Sequence, residues 1–213
     1  MSAQYDCADA QQREAGVSAA VTTVKAGGLV VLPTDTVYGL GADAFSPDAV
    51  ARLLAAKHRG RDMPVPVLIG SWSTLDGLVD HVSPAADALR SAFWPGGLTK
   101  VVRHALALAW DLGDADGTVA VRMPLHPVAI ELLQRTGPMA VSSANVSGRA
   151  PAADAHEALE QLGDDVSVYL DAGVSPDPLP STIVDCTVDP PRLLRAGAVS
   201  LTELRAEVPD IES

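Results

Sequence analysis

The sequence predicts a single α/β domain built on a twisted mixed β-sheet with flanking helices, and three observations lead to this fold class. Helical and extended patterns alternate along the chain, as they do in α/β domains. Late in the chain, several predicted strands follow one another with no helix between them, which favours a mixed sheet over a purely parallel one. The 213 residues are enough for one sizeable domain, and no linker or charge block divides them.

Helices are predicted where apolar residues recur at helical spacing, or where a residue suited to the N-cap precedes a proline. The predicted helices cover residues 14–26, Ser46 to about Lys57, Ser83 to near Trp94, and His126 to Arg135. Two more helix starts resemble capping boxes, Asp154 with Glu157 and Ser200 with Glu203.

Short apolar runs predict the strands, and the core is expected to be aliphatic because only 4% of the residues are aromatic. The predicted strands are 28–32, 66–69, 98–102, 118–122, 139–142, 166–170, 182–184 and 192–194. The segment 103–117 is ambiguous between helix and loop.

Composition argues against several classes of protein. The net charge of −12 disfavours a general nucleic-acid coat protein, although it is compatible with a local basic pocket. Two cysteines, Cys7 and Cys186, are too few for a disulfide framework or a cysteine-based zinc site. The polar N-terminus does not read as a signal peptide, and no apolar run approaches the ~20 residues of a membrane span. A cytoplasmic location without membrane contact is therefore expected.

A polar segment directly follows the first predicted strand. Residues 33–40 read Pro-Thr-Asp-Thr-Val-Tyr-Gly-Leu. Burying these polar groups without partners would be costly, whereas at a strand end they are placed to meet a ligand. A polar turn bounded by Pro33 and Gly39 explains the octapeptide equally well.

Cations collect at the ends of predicted elements. Residues 57–61, Lys-His-Arg-Gly-Arg, close a predicted helix and suit phosphate or carboxylate, although a cationic helix end is slightly favoured as their explanation. Arg122 and Arg195 each end a predicted strand. At a sheet rim shared with residues 33–40, Arg122 would be placed for a ligand, whereas a strand-terminal arginine otherwise points to solvent.

Hydroxyl and amide residues follow other predicted strands. Residues 142–148 read Ser-Ser-Ala-Asn-Val-Ser-Gly and can present donors to a phosphate or a base edge, which is modestly favoured over an ordinary turn. Residues 180–185 repeat the pattern, while 94–99 are better explained as a rigid turn than as a pocket lining. The sequence contains no Walker-type loop, no Gly-x-Gly-x-x-Gly motif and no histidine at metal-ligand spacing.

In this order, the segments resemble the YrdC family of threonylcarbamoyl-AMP synthases. Each motif alone is weak, but the ordered set is specific. The resemblance runs over residues 14–206, so segments 1–13 and 207–213 are expected to be flexible termini. The matching segments are 33–40, Lys57 with Arg59, 94–99, 119–124 with His126 and Pro127, 142–148, 180–185 and 194–197.

The resemblance implies a concave, positively charged active-site cavity and the single-domain form of the family. It also implies a nucleotidyltransferase that joins L-threonine, bicarbonate and ATP into threonylcarbamoyl-adenylate and releases pyrophosphate. Partner proteins would then transfer the threonylcarbamoyl group to tRNA. Mg²⁺ is expected to accompany ATP, since this ion often relies on phosphate oxygens and water rather than on a dedicated carboxylate cage.

Roles for individual residues follow from the resemblance. The residues matching the L-threonine site are Thr36, Tyr38, Arg122 and Ser181. The residues matching the ATP site are Lys57, Arg59, Thr118, Ser143, Asn145 and Arg195, of which Lys57 and Arg59 are the expected catalytic pair. A guanidinium fork suits the carboxylate of an amino acid, which fits the role of Arg122.

The chain departs from the family pattern in several places. Met63 stands where the family usually has an amide that helps to hold ATP, and Leu68 stands where a histidine is expected near the threonine. Gly97 replaces the second proline of the usual Trp-Pro-Gly-Pro turn. Gly60 stands where a proline usually follows the Lys-x-Arg pair. The changes at Gly60, Met63 and Leu68 bear on the fine contacts of the loop 60–68.

Two rival functions are weighed against the synthase. An RNA-binding module without its own catalysis would use the basic cavity on tRNA or double-stranded RNA, but the acidic total charge and the few aromatic residues weigh against it. The YrdC-like part of hydrogenase maturation factors belongs to larger chains with zinc-finger and acylphosphatase segments, which this sequence lacks.

Overall fold

The computed structural model of the protein describes residues 2–108, 110–175 and 179–213. The helices in these ranges are α1 (Ala10–Lys25), α2 (Pro47–Ala56), α3 (Trp72–Asp76), α4 (Pro84–Phe93), α5 (Pro127–Thr136), α6 (Ala155–Leu162) and α7 (Leu201–Glu207). The strands are β1 (Ala3–Asp6), β2 (Val30–Leu32), β3 (Gly39–Asp43), β4 (Val67–Leu68), β5 (Leu98–Arg103), β6 (Thr118–Arg122), β7 (Met139–Ser143), β8 (Val168–Asp171), β9 (Thr182–Asp185) and β10 (Arg192–Arg195).

All the described strands lie in one sheet, in the order β1-β8-β2-β3-β7-β4-β6-β5-β9-β10. The pairs β1–β8, β8–β2, β4–β6 and β5–β9 are parallel, and the other neighbours are antiparallel. The predicted mixed α/β sheet with flanking helices is therefore confirmed.

The apolar core lies on both faces of the sheet. Along β2, Val30 and Leu32 belong to one buried cluster and Val31 to the other, because successive strand residues point to opposite faces. On the first face, α1 and α5 pack over β2, β8 and β7. The remaining half of that face, towards β10, forms the floor of the cavity described below.

Local signals place most helices correctly. Ser46 and Ser83 each accept a hydrogen bond from a backbone N–H of the helix that follows, and Ser200 with Glu203 forms the predicted capping box. Helix α1 begins at Ala10, earlier than the predicted residue 14, because the Asp9 side chain caps it by accepting from the Gln12 N–H at 2.8 Å.

Strand β3 is not predicted from the sequence. Its glycines give it no alternation of apolar and polar residues, and its place depends on tertiary packing. A Cβ on Gly39 would lie 2.6 Å from Val141 Cγ1 of the neighbouring strand, so the close approach of β3 to β7 requires glycine there.

Secondary structure and buried contacts occur in both segments that were expected to be flexible termini. Strand β1 extends the sheet by pairing in parallel with β8, from Ala3 with Val168 onwards. Near the other end, Ile211 is buried, and Glu212 exchanges backbone hydrogen bonds with the strand β10 region. Residues that pack on the domain are therefore found on both sides of the range 14–206.

The ambiguous segment 103–117 contains no helix in the residues that the structure describes there. Arg103 ends β5, and His104 forms an isolated bridge with Val79 before the chain turns back towards β6. Throughout the described ranges, no helix has both the length and the apolar character needed to cross a bilayer.

Candidate functional site

A cavity of about 650 Å³ opens over the half of the sheet that α1 and α5 leave uncovered. Its floor is formed by β4, β5, β6, β7, β9 and β10, and Thr34 with residues 36–39 forms one wall. Among the predicted site residues, all line this cavity except Lys57 and Asn145. The lining members are Thr36, Tyr38, Arg59, Thr118, Arg122, Ser143, Ser181 and Arg195.

Arg122 is held at the end of β6 by three hydrogen bonds. Its Nη2 lies 2.6 Å from Asp35 Oδ1, its Nη1 donates to Thr36 Oγ1 at 2.7 Å, and its Nε donates to the carbonyl of Gly96 at 2.8 Å. A guanidinium has five N–H groups, so two remain for a ligand. Burial lowers the pKa of Arg122, although Asp35 acts in the opposite direction, and the side chain stays charged.

The polar turn 33–38 satisfies much of its own hydrogen bonding. The hydroxyl of Thr34 donates to the carbonyl of Val37 at 2.7 Å and accepts from the N–H of Thr36 at 3.2 Å. Thr36 is 1% exposed and its hydroxyl accepts from Arg122. Both interpretations of the octapeptide therefore apply, since a structured polar turn also forms the cavity wall.

The hydroxyl of Tyr38 is held by two main-chain groups of the segment that follows β8. The hydroxyl donates to the carbonyl of Gly173 at 2.6 Å and accepts from the N–H of Ala172 at 3.0 Å. Burial raises the pKa of the phenol, so it remains protonated. Tyr38 thus ties the turn 33–38 to the chain segment that follows β8, and a second tie is the bond from the Ser175 hydroxyl to the carbonyl of Thr36.

Lys57 lies behind the cavity wall rather than in it. The side chain is 2% exposed, and Nζ donates to the carbonyl of Ser143, to the carbonyl of Asn145 at 2.7 Å and to Asn145 Oδ1 at 3.3 Å. These three acceptors use all three N–H groups of the ammonium. Burial, followed by the charge of Arg59, lowers the pKa of Lys57 to about 8.

Asn145 fixes the loop after β7 from the other side. Its amide nitrogen donates to the carbonyls of Val146 at 3.0 Å and Arg149 at 2.8 Å. Together with Lys57, it shapes the loop that follows Ser143, the last residue of β7, which lines the cavity. The contacts of Lys57 and Asn145 thus position this loop.

Arg59 reaches into the cavity from the end of α2. Its Nη1 donates to Ser142 Oγ at 3.1 Å and its Nη2 to the carbonyl of Pro64 at 3.2 Å, while the buried Nε has no partner among the described residues. Burial lowers its pKa. The unused N–H groups of this guanidinium can donate to an oxygen atom of a ligand bound in the cavity.

Arg195 and Ser181 meet on the far wall. Arg195 donates from Nε and Nη2 to the carbonyl of Ser181 at 3.0 and 2.8 Å, and from Nη2 to its hydroxyl at 3.0 Å. The approach of the two segments requires Gly197, because a Cβ there would collide with the carbonyl oxygen of Pro180.

Among the described residues, the charged side chains that line the cavity are all positive. Arg59, Arg122 and Arg195 line it, and no aspartate or glutamate does so among the described residues. Burial lowers the pKa of Arg195, and the positive charges of Arg122 and Arg59 lower it further, so the arginines are close enough to repel one another. Of these three arginines, only Arg122 forms an ion pair with a carboxylate of the described residues, which leaves a lining suited to anions.

Sequence reasoning missed Asp35 and Thr99. Asp35 lies within the highlighted octapeptide, but its part in holding Arg122 depends on a contact between residues 87 positions apart. Thr99, in the segment explained as a rigid turn, lines the cavity with 2% of its surface exposed. Two of the positions at which the chain departs from the family pattern can be located. Leu68 is buried in the cavity lining, while Met63 is 54% exposed on the loop after Arg59.

The described residues offer no preformed metal cage. No group of three or more histidine, cysteine, aspartate or glutamate side chains in these ranges is arranged to hold an ion. A magnesium ion accompanying ATP would have to use phosphate oxygens and water as most of its ligands.

The fold and the cavity define an α/β protein whose candidate ligand site combines arginines and hydroxyls, as anion-binding enzymes do. The model of one family matches residues 22–197, most of the chain: Sua5/YciO/YrdC, described as "Telomere recombination". The chain therefore belongs to the Sua5/YciO/YrdC family.

Similar proteins span bacteria and archaea. A protein of Mycobacterium tuberculosis (strain CDC 1551 / Oshkosh), provisionally named a threonylcarbamoyl-AMP synthase, is 61% identical over 213 residues, covering 100% of this chain and 98% of the relative. The threonylcarbamoyl-AMP synthase of Pyrococcus abyssi (strain GE5 / Orsay) is 36% identical over 189 residues, which cover 88% of this chain and 56% of that protein.

A solved structure agrees with the fold in detail. The structure of P. abyssi Sua5 complexed with L-threonine superposes with a TM-score of 0.92 at 33% identity. The match covers 100% of this chain but 62% of the Sua5 chain, so the archaeal protein is considerably longer.

Proposed function

We propose that the chain is a nucleotidyltransferase that makes L-threonylcarbamoyladenylate from L-threonine, bicarbonate and ATP, and releases pyrophosphate. This would be the first step of threonylcarbamoyladenosine formation in tRNA. The observation that carries the proposal is a single cavity that gathers three arginines and several hydroxyls with no lining carboxylate among the described residues. The names of the relatives, and the threonine bound to P. abyssi Sua5, support the choice of substrates.

On the amino-acid side, Arg122 and Thr36 would receive the threonine. Asp35 and the carbonyl of Gly96 fix the guanidinium, and its two remaining N–H groups suit a carboxylate. Ser181 would contact the same substrate from the opposite wall, while Tyr38 shapes the pocket by holding the turn in place.

On the nucleotide side, Arg59 and Arg195 would meet the phosphates, with Ser143 and Thr118 nearby in the lining. Lys57 and Asn145 would act indirectly, by fixing the loop that follows Ser143. ATP would enter as its magnesium complex, whose ion is part of the substrate rather than a resident of the protein.

The reaction needs no protein nucleophile. The threonine amine takes up bicarbonate to give a carbamate and water; a carbamate oxygen then bonds to the α-phosphorus, and the bond to the pyrophosphate breaks. The chain would contribute the alignment of three substrates and stabilisation of phosphate charge by arginine donors. The product is an activated acyl donor, which threonylcarbamoyl-transfer proteins acting on tRNA would consume.

The test is pyrophosphate release by the purified chain with ATP, Mg²⁺, bicarbonate and L-threonine, with each omitted in turn. Release that requires both threonine and bicarbonate is expected. ATP or threonine binding without release would point to a missing partner or to the altered loop 60–68. Neither binding nor release, with salt-dependent retention of tRNA, would instead favour an RNA-binding module.

A further inference from the structure

Two buried hydroxyls meet on the cavity wall where β5 and β9 run side by side. The strands are parallel, with Thr99 opposite Ile183, and this register brings Thr99 Oγ1 to 2.8 Å from Ser181 Oγ. Thr99 is 2% exposed and Ser181 is 8% exposed, and both line the cavity.

The hydrogen atoms of this pair can be counted. Arg195 Nη2 lies 3.0 Å from Ser181 Oγ, and because a guanidinium only donates, the serine oxygen must accept from it. The pair has two hydroxyl hydrogens, and the contact between Thr99 and Ser181 uses one. In the ranges that the structure describes, neither hydroxyl has another acceptor, so one O–H is free for a cavity ligand.

The surroundings specify the charge of that ligand. Arg195 lies directly behind the pair, and no lining residue in the described ranges carries a negative charge. A buried O–H backed by a cation favours an anionic oxygen. One spare hydrogen between two small side chains suits a small planar oxyanion better than a phosphate, which needs several donors at once.

We propose that the Thr99–Ser181 hydroxyl pair, held by Arg195, is the subsite for bicarbonate and for the carboxylate of the carbamate formed from it. This assignment rests on the proposed function. It leaves the fork of Arg122 to the threonine carboxylate, and Ser181, assigned above to the threonine site, then meets the threonine through the carboxylate of its carbamate. When the threonine nitrogen bonds to the bicarbonate carbon, the C–OH bond breaks and hydroxide leaves with an amine proton as water. One of the two remaining carbamate oxygens stays on the hydroxyl pair, and the other is free to bond to phosphorus.

The experiment compares Thr99→Val and Ser181→Ala with the unaltered chain in buffer depleted of carbon dioxide. The rate of pyrophosphate release is measured against added bicarbonate, threonine and ATP in separate series. We expect the KM for bicarbonate to rise about tenfold or more, since a hydrogen bond to a charged group is lost, while the KM for ATP changes by less than about twofold. Thr99→Ser keeps the hydroxyl and should restore a low KM for bicarbonate.

A matched control is available at Thr182, the first residue of β9. The hydroxyl of Thr182 is also buried, but it donates to the carbonyl of Val199 at 2.6 Å and accepts from its N–H at 2.9 Å, and it does not line the cavity. Thr182→Val should lower the melting temperature without changing the KM for bicarbonate. This separates loss of a buried hydroxyl from loss of the subsite.

Three outcomes would overturn the assignment: an unchanged KM for bicarbonate, a rise confined to threonine, or an equal loss for all substrates. If the unaltered chain neither binds ATP or threonine nor releases pyrophosphate, the proposed function fails by itself, and if it binds them without release, the rate series cannot be run. The subsite is then tested by the ¹³C line of labelled bicarbonate titrated with each protein. Broadening by the unaltered chain but not by Thr99→Val would support the subsite, and equal or absent broadening would refute it.

Discussion

Asp35 is expected to contribute more to the free energy of unfolding than an ordinary surface carboxylate does. Its Oδ1 accepts from Arg122 Nη2 at 2.6 Å and from the N–H of Leu125 at 2.7 Å. The side chains of Arg122 and Asp35 are only 6% and 17% exposed. Asp35→Ala would therefore leave a buried guanidinium without its counter-charge, in the wall of the proposed threonine site.

The size of the effect follows from the contacts that remain. Removing one partner of a fully buried ion pair costs roughly 3–5 kcal/mol. Arg122 would keep its bonds to Thr36 and to the carbonyl of Gly96, and water reaches the partly exposed position of Asp35. We expect Asp35→Ala to lower the free energy of unfolding by about 2–3 kcal/mol, and Asp35→Asn, which keeps the acceptor oxygen, by about half as much.

The assay is urea denaturation of both variants, of Arg122→Met and of the double variant Asp35→Ala/Arg122→Met. If the pair is coupled, the double variant loses clearly less stability than the sum of the single changes. The KM for threonine should also rise in Asp35→Ala, because Arg122 loses its fixed direction. A loss below about 0.5 kcal/mol in Asp35→Ala, or additive single changes, would refute this reasoning.

Three further changes test other contacts. Tyr38→Phe should cost about 1–3 kcal/mol in urea denaturation, because the N–H of Ala172 and the carbonyl of Gly173 lose their partner; no measurable cost would mean that water replaces the phenol. Burial, then Arg59, lowers the pKa of Lys57 from 10.5 to about 8, so the unfolded chain binds more protons between these values. The stability of the unaltered chain relative to Lys57→Met should therefore rise across that pH window, and a flat difference would show an ammonium with an ordinary pKa. Arg59→Lys, which cannot reproduce a planar fork, should raise the KM for ATP about tenfold at nearly unchanged melting temperature, whereas an unchanged KM would remove Arg59 from the nucleotide site.

Sequence alone predicts the features that depend on neighbours along the chain. The starts of α2, α4 and α7 follow from Ser46, Ser83 and Ser200, because a cap is formed within four residues. Strand β3 could not be found in this way, since its glycines are explained only by the close packing of Gly39 on Val141 of β7.

In the candidate site, too, the sequence predicts the residue types but not the contacts between distant residues. Residue types and their order along the chain lead to the arginines and hydroxyls, and the cavity brings most of them together. The direction in which a side chain points is not encoded locally. Lys57 turns back onto the carbonyls of Ser143 and Asn145, and Thr99 meets Ser181 from 82 residues away, so both contacts depend on tertiary packing.

Each cavity arginine is anchored by a main-chain oxygen of the chain itself. Arg59 donates to the carbonyl of Pro64, Arg122 to that of Gly96 and Arg195 to that of Ser181. The rotamer entropy of these long side chains is therefore largely lost on folding rather than on binding, so an anion meets donors that are already oriented. Folding also brings like charges together, and a bound polyanion relieves that repulsion. Ligand binding and thermal stability should consequently be linked in this protein. The chain with a bound anion should melt at a higher temperature than the ligand-free chain.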